Sequence, residues 1–274
     1  MSDRFCAYTF VDRIVEDEVG KHIVGEFWLP DHCGEIPSAV VCEAVGQLAA
    51  WSAMKAVDFK RRPVAGICGM VDFKTMTNGG SLWKLESELI QCDEEAVSYH
   101  GTASVDGELI VRMTDSLGPM VAADRFDDPG QLRAHYDRLR SGEAERGIFP
   151  GLPELPLERI EPAELGEISA HLQIPEEAGF FGDHFPLKPV FPGTLLMAAH
   201  TELADQLVGE RSDAEVWAKV GVNDVKIRRF MSPGQLLTLV ARGEQVDDST
   251  FHVYCESRIG KRVTSSVRVN FSHR

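Results

Sequence analysis

The sequence predicts an α+β fold in which two antiparallel sheets each wrap a central helix and the two units pack as a pseudo-dimer. Three observations carry that prediction. Residues Val40 to Trp51 are apolar on nearly every face, so a helix there has to be enclosed by other structure. Short runs of strand character follow it, separated by turn residues. The whole order of features then recurs at offsets of 146 to 155 residues, a period that reads as two copies of one domain rather than a solenoid.

Residues 8 to 14, Tyr-Thr-Phe-Val-Asp-Arg-Ile, lead into a strand from Lys21 to Leu29, where His22, Val24, Glu26 and Trp28 alternate with Ile23, Gly25 and Phe27. A loop from Pro30 to Pro37 follows, and Ser38 reads as the N-cap of the apolar helix. Strands are expected near 64–75, 81–92, 95–105 and 108–120. Asn78-Gly79-Gly80, Asp93-Glu94-Glu95 and Asp106-Gly107 supply the turns between them. In the second half Leu157-Glu158-Arg159-Ile160 echoes Val11-Asp12-Arg13-Ile14, and the eleven residues Lys226 to Leu236 match Asp72 to Leu82. Pro192 stands before a helix ending near Leu207, as Pro37 stands before the first helix. The expected organisation is therefore an N-terminal domain over 1–124, a linker over 125–156, and a C-terminal domain over 157–274, the halves packed about an internal dyad. Within the linker, Asp127-Asp128-Pro129 opens a short helix over roughly 129–142, by N-cap and Pro-at-N1 chemistry.

Composition narrows the function classes. At 274 residues, with 43% hydrophobic and 26% charged residues, the chain is an ordinary globular protein. A formal charge of −15 argues against nucleic acid and anionic membranes as partners. No signal-peptide or membrane-span pattern is present, and six cysteines without a CxxC pair read as reduced thiols, so the expectation is a cytoplasmic protein without a metal site.

The chemistry concentrates in Gly182-Asp183-His184-Phe185-Pro186-Leu187-Lys188-Pro189-Val190-Phe191-Pro192-Gly193. Three prolines in seven residues stiffen this loop before it yields to a helix, so a histidine is held beside a helix N-terminus. Histidine followed by Phe-Pro, by proline at five and eight positions, and by glycine at nine resembles the active-site signature of the 3-hydroxyacyl-[acyl-carrier-protein] dehydratases, a hot-dog-fold family. That family places a catalytic carboxylate fourteen residues after the histidine. Here the position is Ala198.

The first copy shows the converse. Glu43-Ala44-Val45-Gly46-Gln47 resembles the family's Glu-Ala-x-x-Gln segment, yet fourteen residues before Glu43 stands Leu29 instead of histidine, and the stretch matching Glu177 to His184 is missing. Each copy has kept the half that the other lost. Since homodimeric relatives of this family build each site from one subunit's histidine and the other's carboxylate, the resemblance implies a fused double hot dog. One composite site, His184 facing Glu43, would survive beside a dead one built from Leu29 and Ala198. The order is the reverse of that in tandem polyketide-type dehydratases.

What the resemblance implies is dehydration of a 3-hydroxyacyl thioester, on an acyl carrier protein or coenzyme A, in fatty-acid or polyketide-type synthesis, with no cofactor. His184 would take the C2 proton, Glu43 would protonate the leaving hydroxyl, Gln47 would orient Glu43, and the Gly193 N–H would meet the charge on the thioester oxygen. Phe181 and Pro192 are cast as substrate-binding residues. An acidic carrier would need a basic patch on this acidic chain, from Lys60-Arg61-Arg62 or from Lys226, Arg228 and Arg229. The fused pair could itself pair again as a homodimer. Two other readings stay open: an acyl thioesterase, which needs a helix carboxylate but no His-Phe-Pro loop, and a non-catalytic acyl-binding or scaffold protein, which predicts His184 and Glu43 far apart.

Overall fold

The structure is a computed structural model describing residues 4–74, 77–164 and 166–273. In the first half the strands are β1 (Arg13–Glu18), β2 (His22–Leu29), β3 (Arg61–Pro63), β4 (Ile67–Phe73), β5 (Ser81–Cys92), β6 (Ala96–Val105) and β7 (Glu108–Ala122), with helix α1 (Ser38–Ala56) after β2. Helix α2 (Pro129–Ser141) follows. The second half has β8 (Leu157–Glu164), β9 (Glu167–Gln173), helix α3 (Gly193–Gly209), β10 (Trp217–Ile227), β11 (Leu236–Asp247), β12 (Thr250–Ile259) and β13 (Arg262–His273).

The order of the second half repeats that of the first, and the sheet makes the repeat geometric. Its strands run β1-β2-β5-β6-β7-β4-β10-β13-β12-β11-β9-β8, with β3 on β7. Every described pairing is antiparallel. The two expected sheets are thus joined edge to edge through β4 and β10 into one, a closure that removes an unpaired edge from each copy. The junction register pairs Val71 with Val222 and Cys68 with Val225. The 154-residue offset exchanges these two pairs, so an internal dyad passes between them. Gly221 is required at the crossing, because a Cβ there would stand 2.2 Å from the Val71 carbonyl oxygen.

Each half wraps its own helix. Thirteen of the nineteen residues of α1 are buried, Val40, Val45 and Leu48 completely, because the helix is apolar all round and its neighbours enclose it. The helices α1 and α3 also touch each other. Ser38 does not cap α1. The helix starts at Ser38, with Pro37 at the N-cap position and no side-chain capping bond, and Pro192 stands at the equivalent place before α3 with nearly the same dihedrals (φ −56°, ψ 135° against φ −59°, ψ 129°).

Local chemistry explains most boundaries. Asp106 and Gly107 both have positive φ and close the β6–β7 hairpin. The strand expected over 64–75 begins only at Ile67, as β4, and the short β3 precedes it. Gly66 marks the break: a Cβ there would lie 2.8 Å from the Leu117 carbonyl oxygen. Thr75 of that expected strand lies outside the described residues. The sequence does not announce the hairpin partner β1, which pairs Arg13 with Glu26, because the consecutive acidic residues Glu16-Asp17-Glu18 lack the alternation of a strand.

Residues 125–156 do more than connect. Asp128 caps α2 by accepting from the N–H groups of Gly130 and Gln131, as its Asp-Pro start predicts. Leu132, His135, Tyr136 and Leu139 of α2 are buried, and the Phe149 ring lies 5.0 Å from Phe10 and 6.1 Å from Phe27. The segment is a wall of the first half's core. Among the described residues no helix is long and apolar enough to cross a membrane.

Candidate active site

The histidine loop is locked from several sides. His184 N–H donates to the Phe180 carbonyl (2.8 Å), Leu187 N–H to Phe126 (3.0 Å), and Phe191 N–H to Met231 (2.7 Å). Phe185 sits at φ 65°, a left-handed conformation that costs about 1–3 kcal/mol for such a residue. Its buried ring offsets that cost, packing against Phe126 at 5.3 Å with the Arg62 guanidinium 4.1 Å from its centre. The strain sits on the residue that turns the chain straight after His184.

The packing also decides the imidazole's tautomer. His184 Nδ1 lies 2.7 Å from the Val190 carbonyl oxygen, which can only accept, so the neutral ring carries its proton on Nδ1. Nε2 is left with a lone pair. Burial lowers the pKa of His184 below 6.5, opposed in part by the Glu43 carboxylate and the Val190 bond, and the ring is kept neutral near pH 7.

Glu43 projects from α1, in the other half of the chain. Its Oε1 accepts from Gln47 Nε2 at 3.0 Å, one helical turn on, and its Oε2 accepts from the Thr194 hydroxyl at 2.5 Å. Gln47 in turn donates to the Tyr8 carbonyl (2.9 Å) and accepts from the Phe10 N–H (2.9 Å), so its amide is fully engaged and fixed. His184 and Glu43 border the same cavity, of about 200 Å³, together with Gly193, Thr194, Tyr8 and Gln47. Gly193 is the first residue of the 17-residue α3, where backbone N–H groups lack intrahelical partners and the helix dipole is positive.

From that polar end the cavity continues along one face of α1. Glu43, Gln47, Ala50, Trp51 and Met54 follow at helical spacing and all line it, a span of about 16 Å at a rise of 1.5 Å per residue. Leu132 of α2 and Val97, Tyr99 and Met113 of the sheet complete an otherwise apolar wall. Arg229 and Phe230, both exposed, line it on the side of the histidine loop, the Phe230 ring lying 5.5 Å from Phe126, which packs on Phe185.

Two expected substrate contacts are not there. Phe181 and Pro192 are not among the residues that line the cavity: Phe181 packs against Phe180 at 4.4 Å in the core, and Pro192 stands at the N-cap position of α3. Phe185, Phe191 and Phe230 are the aromatic residues that this loop and its neighbours present. At the two positions expected to form a dead site, Leu29 is wholly buried and Ala198 packs on the main core. Of the expected basic patch, Arg62 is taken up by a buried ion pair with Asp127 at 2.7 Å. Burial, opposed by the Asp127 charge, lowers its pKa to about 10. Among the described residues no three His, Cys, Asp or Glu side chains converge as a metal would need.

Residues 161–267 match a family of ApeI-like proteins described as ApeI dehydratase. The chain is 27% identical over 117 residues to the 3-hydroxyacyl-[acyl-carrier-protein] dehydratase FabZ of Lactobacillus helveticus, covering 42% of this chain and 78% of that protein. It is 28% identical over 123 residues to FabZ of Paracidovorax citrulli, covering 43% and 84%. The chain resembles the FabZ-type dehydratases. Across nearly its whole length the fold is similar to two solved structures. The tesB protein of Mycobacterium avium subspecies paratuberculosis has a TM-score of 0.57 at 12% identity, covering 96% of this chain and 97% of that one. An acyl-ACP thioesterase from Bacteroides thetaiotaomicron has a TM-score of 0.53 at 11% identity, covering 93% and 100%. At such identities the likeness carries the hot-dog fold and nothing of the reaction.

Proposed function

We propose that this chain dehydrates a 3-hydroxyacyl thioester, borne by an acyl carrier protein or coenzyme A, to the trans-2-enoyl thioester through one composite site. The observation that carries the reading is that the Nε2 side of a neutral histidine from the second half and a carboxyl from the first border one cavity. His184 Nε2 takes the C2 proton. The electron pair of the C2–H bond becomes the C2=C3 double bond, the C3–O bond breaks, and the hydroxyl leaves as water with the proton given up by Glu43. Charge gathering on the thioester oxygen is met by the Gly193 N–H at the positive end of α3, an interaction worth about 2.7–4 kcal/mol in comparable oxyanion sites. The protonated imidazole and the carboxylate then exchange their proton through water, and the site is reset. The apolar face from Ala50 to Met54 receives the acyl chain.

Thioester hydrolysis is the rival within this fold, and it needs a helix carboxylate and a water but no base on a proline-stiffened loop. Retention of the whole His184 loop, strained at Phe185 and aimed into the cavity with its donor nitrogen already used, favours dehydration. The experiment follows the enoyl absorbance and free thiol together, with a 3-hydroxyacyl thioester as substrate. His184→Ala and Glu43→Gln should each lower turnover by about 10²–10⁴-fold, the scale of general acid–base catalysis, with folding intact. Ala198→Glu should change little. Thiol release without enoyl product would replace this reading by the hydrolytic one; undiminished turnover in either of the first two variants would remove the mechanism.

A further inference from the structure

The N-terminal arm is the part of the molecule that the dehydratase reading leaves without work, yet it is the most heavily tied segment near the cavity. The buried carboxylate of Asp183, next to the histidine, accepts four consecutive backbone N–H groups. Phe5 donates to Oδ1 (2.5 Å), and Cys6 (2.9 Å), Ala7 (2.6 Å) and Tyr8 (3.0 Å) donate to Oδ2. Arg4 pairs with buried Asp127 at 2.7 Å, and the Phe5 ring stacks on His135 at 3.9 Å. The clasp brings Phe5, Tyr8 and Thr9 to the cavity, and Tyr8 reaches the catalytic groups. The Tyr8 ring stands edge-on to His184 with centroids 6.0 Å apart, and its hydroxyl lies 2.9 Å from Thr194 Oγ1.

The direction of that last bond follows from counting protons. Thr194 has one hydroxyl proton, and it goes to Glu43 Oε2. Thr194 can therefore only accept from Tyr8. Burial first, and the Glu43 charge second, push the Tyr8 phenol well above its ordinary pKa of 10.0, so it stays a donor at any working pH. We propose that Tyr8 and Thr194 are positioning residues of the catalytic carboxyl, forming the ordered chain Tyr8 O–H to Thr194 O–H to Glu43 Oε2, and that the arm Arg4–Phe10 belongs to the active site. The inference rests on the dehydratase reading.

Its physical content is differential. When Glu43 gives its proton to the leaving hydroxyl, negative charge appears on the carboxylate, and donors already aimed at both oxygens stabilise that charge more than they stabilise the neutral acid. A Thr194 hydroxyl polarised by Tyr8 is the better donor. The signature is a loss in kcat with KM kept, recovered when a hydroxyl is returned to position 194.

The test compares Thr194→Val, Thr194→Ser, Tyr8→Phe and the double variant Tyr8→Phe/Thr194→Val in the full chain, with thermal unfolding as the check on folding. Thr194→Val should lower kcat by roughly 10- to 100-fold with KM within about twofold. Tyr8→Phe keeps the ring packed on Phe10 at 4.9 Å and should lower kcat less, by roughly 3- to 10-fold. The double variant should be no worse than Thr194→Val alone, because the residues act in series. Thr194→Ser should restore most of the activity. If the wild type turns over the substrate while Thr194→Val and Tyr8→Phe keep kcat, the inference is overturned and the dehydratase reading stands. A wild-type chain that makes no enoyl product overturns both. Should Thr194→Val fail to fold, Tyr8→Phe and Thr194→Ser decide by the same measures.

Discussion

An imidazole whose Nδ1 proton is spent on a backbone carbonyl has one nitrogen left for chemistry, and whether that nitrogen is free depends on pH. For His184 burial disfavours the imidazolium and outweighs the pull of the Glu43 carboxylate, so its pKa lies below 6.5. The sign follows directly. The base is competent above its folded pKa and lost as pH falls through it, so kcat/KM for the dehydration should stay level through pH 6.5 and decline only at lower pH. A limb centred at or above 6.5 would show that the imidazole is not buried as described. The same scale explains what could be read in advance. His184 and Glu43 were legible because each sits in a local signature of residue types at set spacing. Thr194 and Asp183 were not, because their partners lie 151 residues away in Glu43 and at least 175 away in the arm, and no local pattern announces a bond that only folding makes. Phe181 shows the converse. An aromatic beside a catalytic loop lines either the cavity or the core, and the short helical turn over Gly179–Gly182 sends this one to the core.

Among the elements, the helices and most strands announce themselves through period and turn chemistry, while the joint between the halves does not. The periodicity of β4 and β10 is that of any buried strand, and nothing in either says that it pairs with the other. The close approach at Gly221 is what makes the pairing specific. A methyl group there meets backbone rather than a yielding side chain, so Gly221→Ala should force the two edge strands apart. The expected cost is about 1–3 kcal/mol, typical of overpacking a fixed contact, and the unfolding midpoint should drop by several degrees. Hydrogen exchange should find the loss of protection concentrated in Ile67–Phe73 and Trp217–Ile227. An unchanged midpoint would mean that the strands cross with more room than the 2.2 Å approach implies. The consequence for the site is mechanical: β4 and β10 set the two halves side by side, and through them His184 and Glu43.

At the scale of the whole molecule, the internal dyad was legible in the sequence offsets, which the β4–β10 junction reproduces. Charge is where the whole molecule works against its proposed substrate. A chain of formal charge −15 repels an acidic carrier protein at long range, so productive encounter depends on a local reversal at the cavity mouth. Arg62 is already committed to Asp127, and Arg229 and Lys188 remain at that rim. Lys188 Nζ lies 5.3 Å from the Phe126 ring and 5.7 Å from the Phe230 ring, and Arg229 lines the opening itself. Rim charges act mainly on encounter and on its salt dependence. Arg229→Glu and Lys188→Glu should therefore raise KM for a carrier-borne substrate by roughly tenfold at low salt, with kcat unchanged and the effect fading as salt rises. A small uncharged thioester of the same acyl group should show no change, since it enters without docking. If both substrates suffer equally, the rim residues shape the cavity instead of meeting a carrier; if neither does, the carrier approaches elsewhere or the substrate travels on a small thiol.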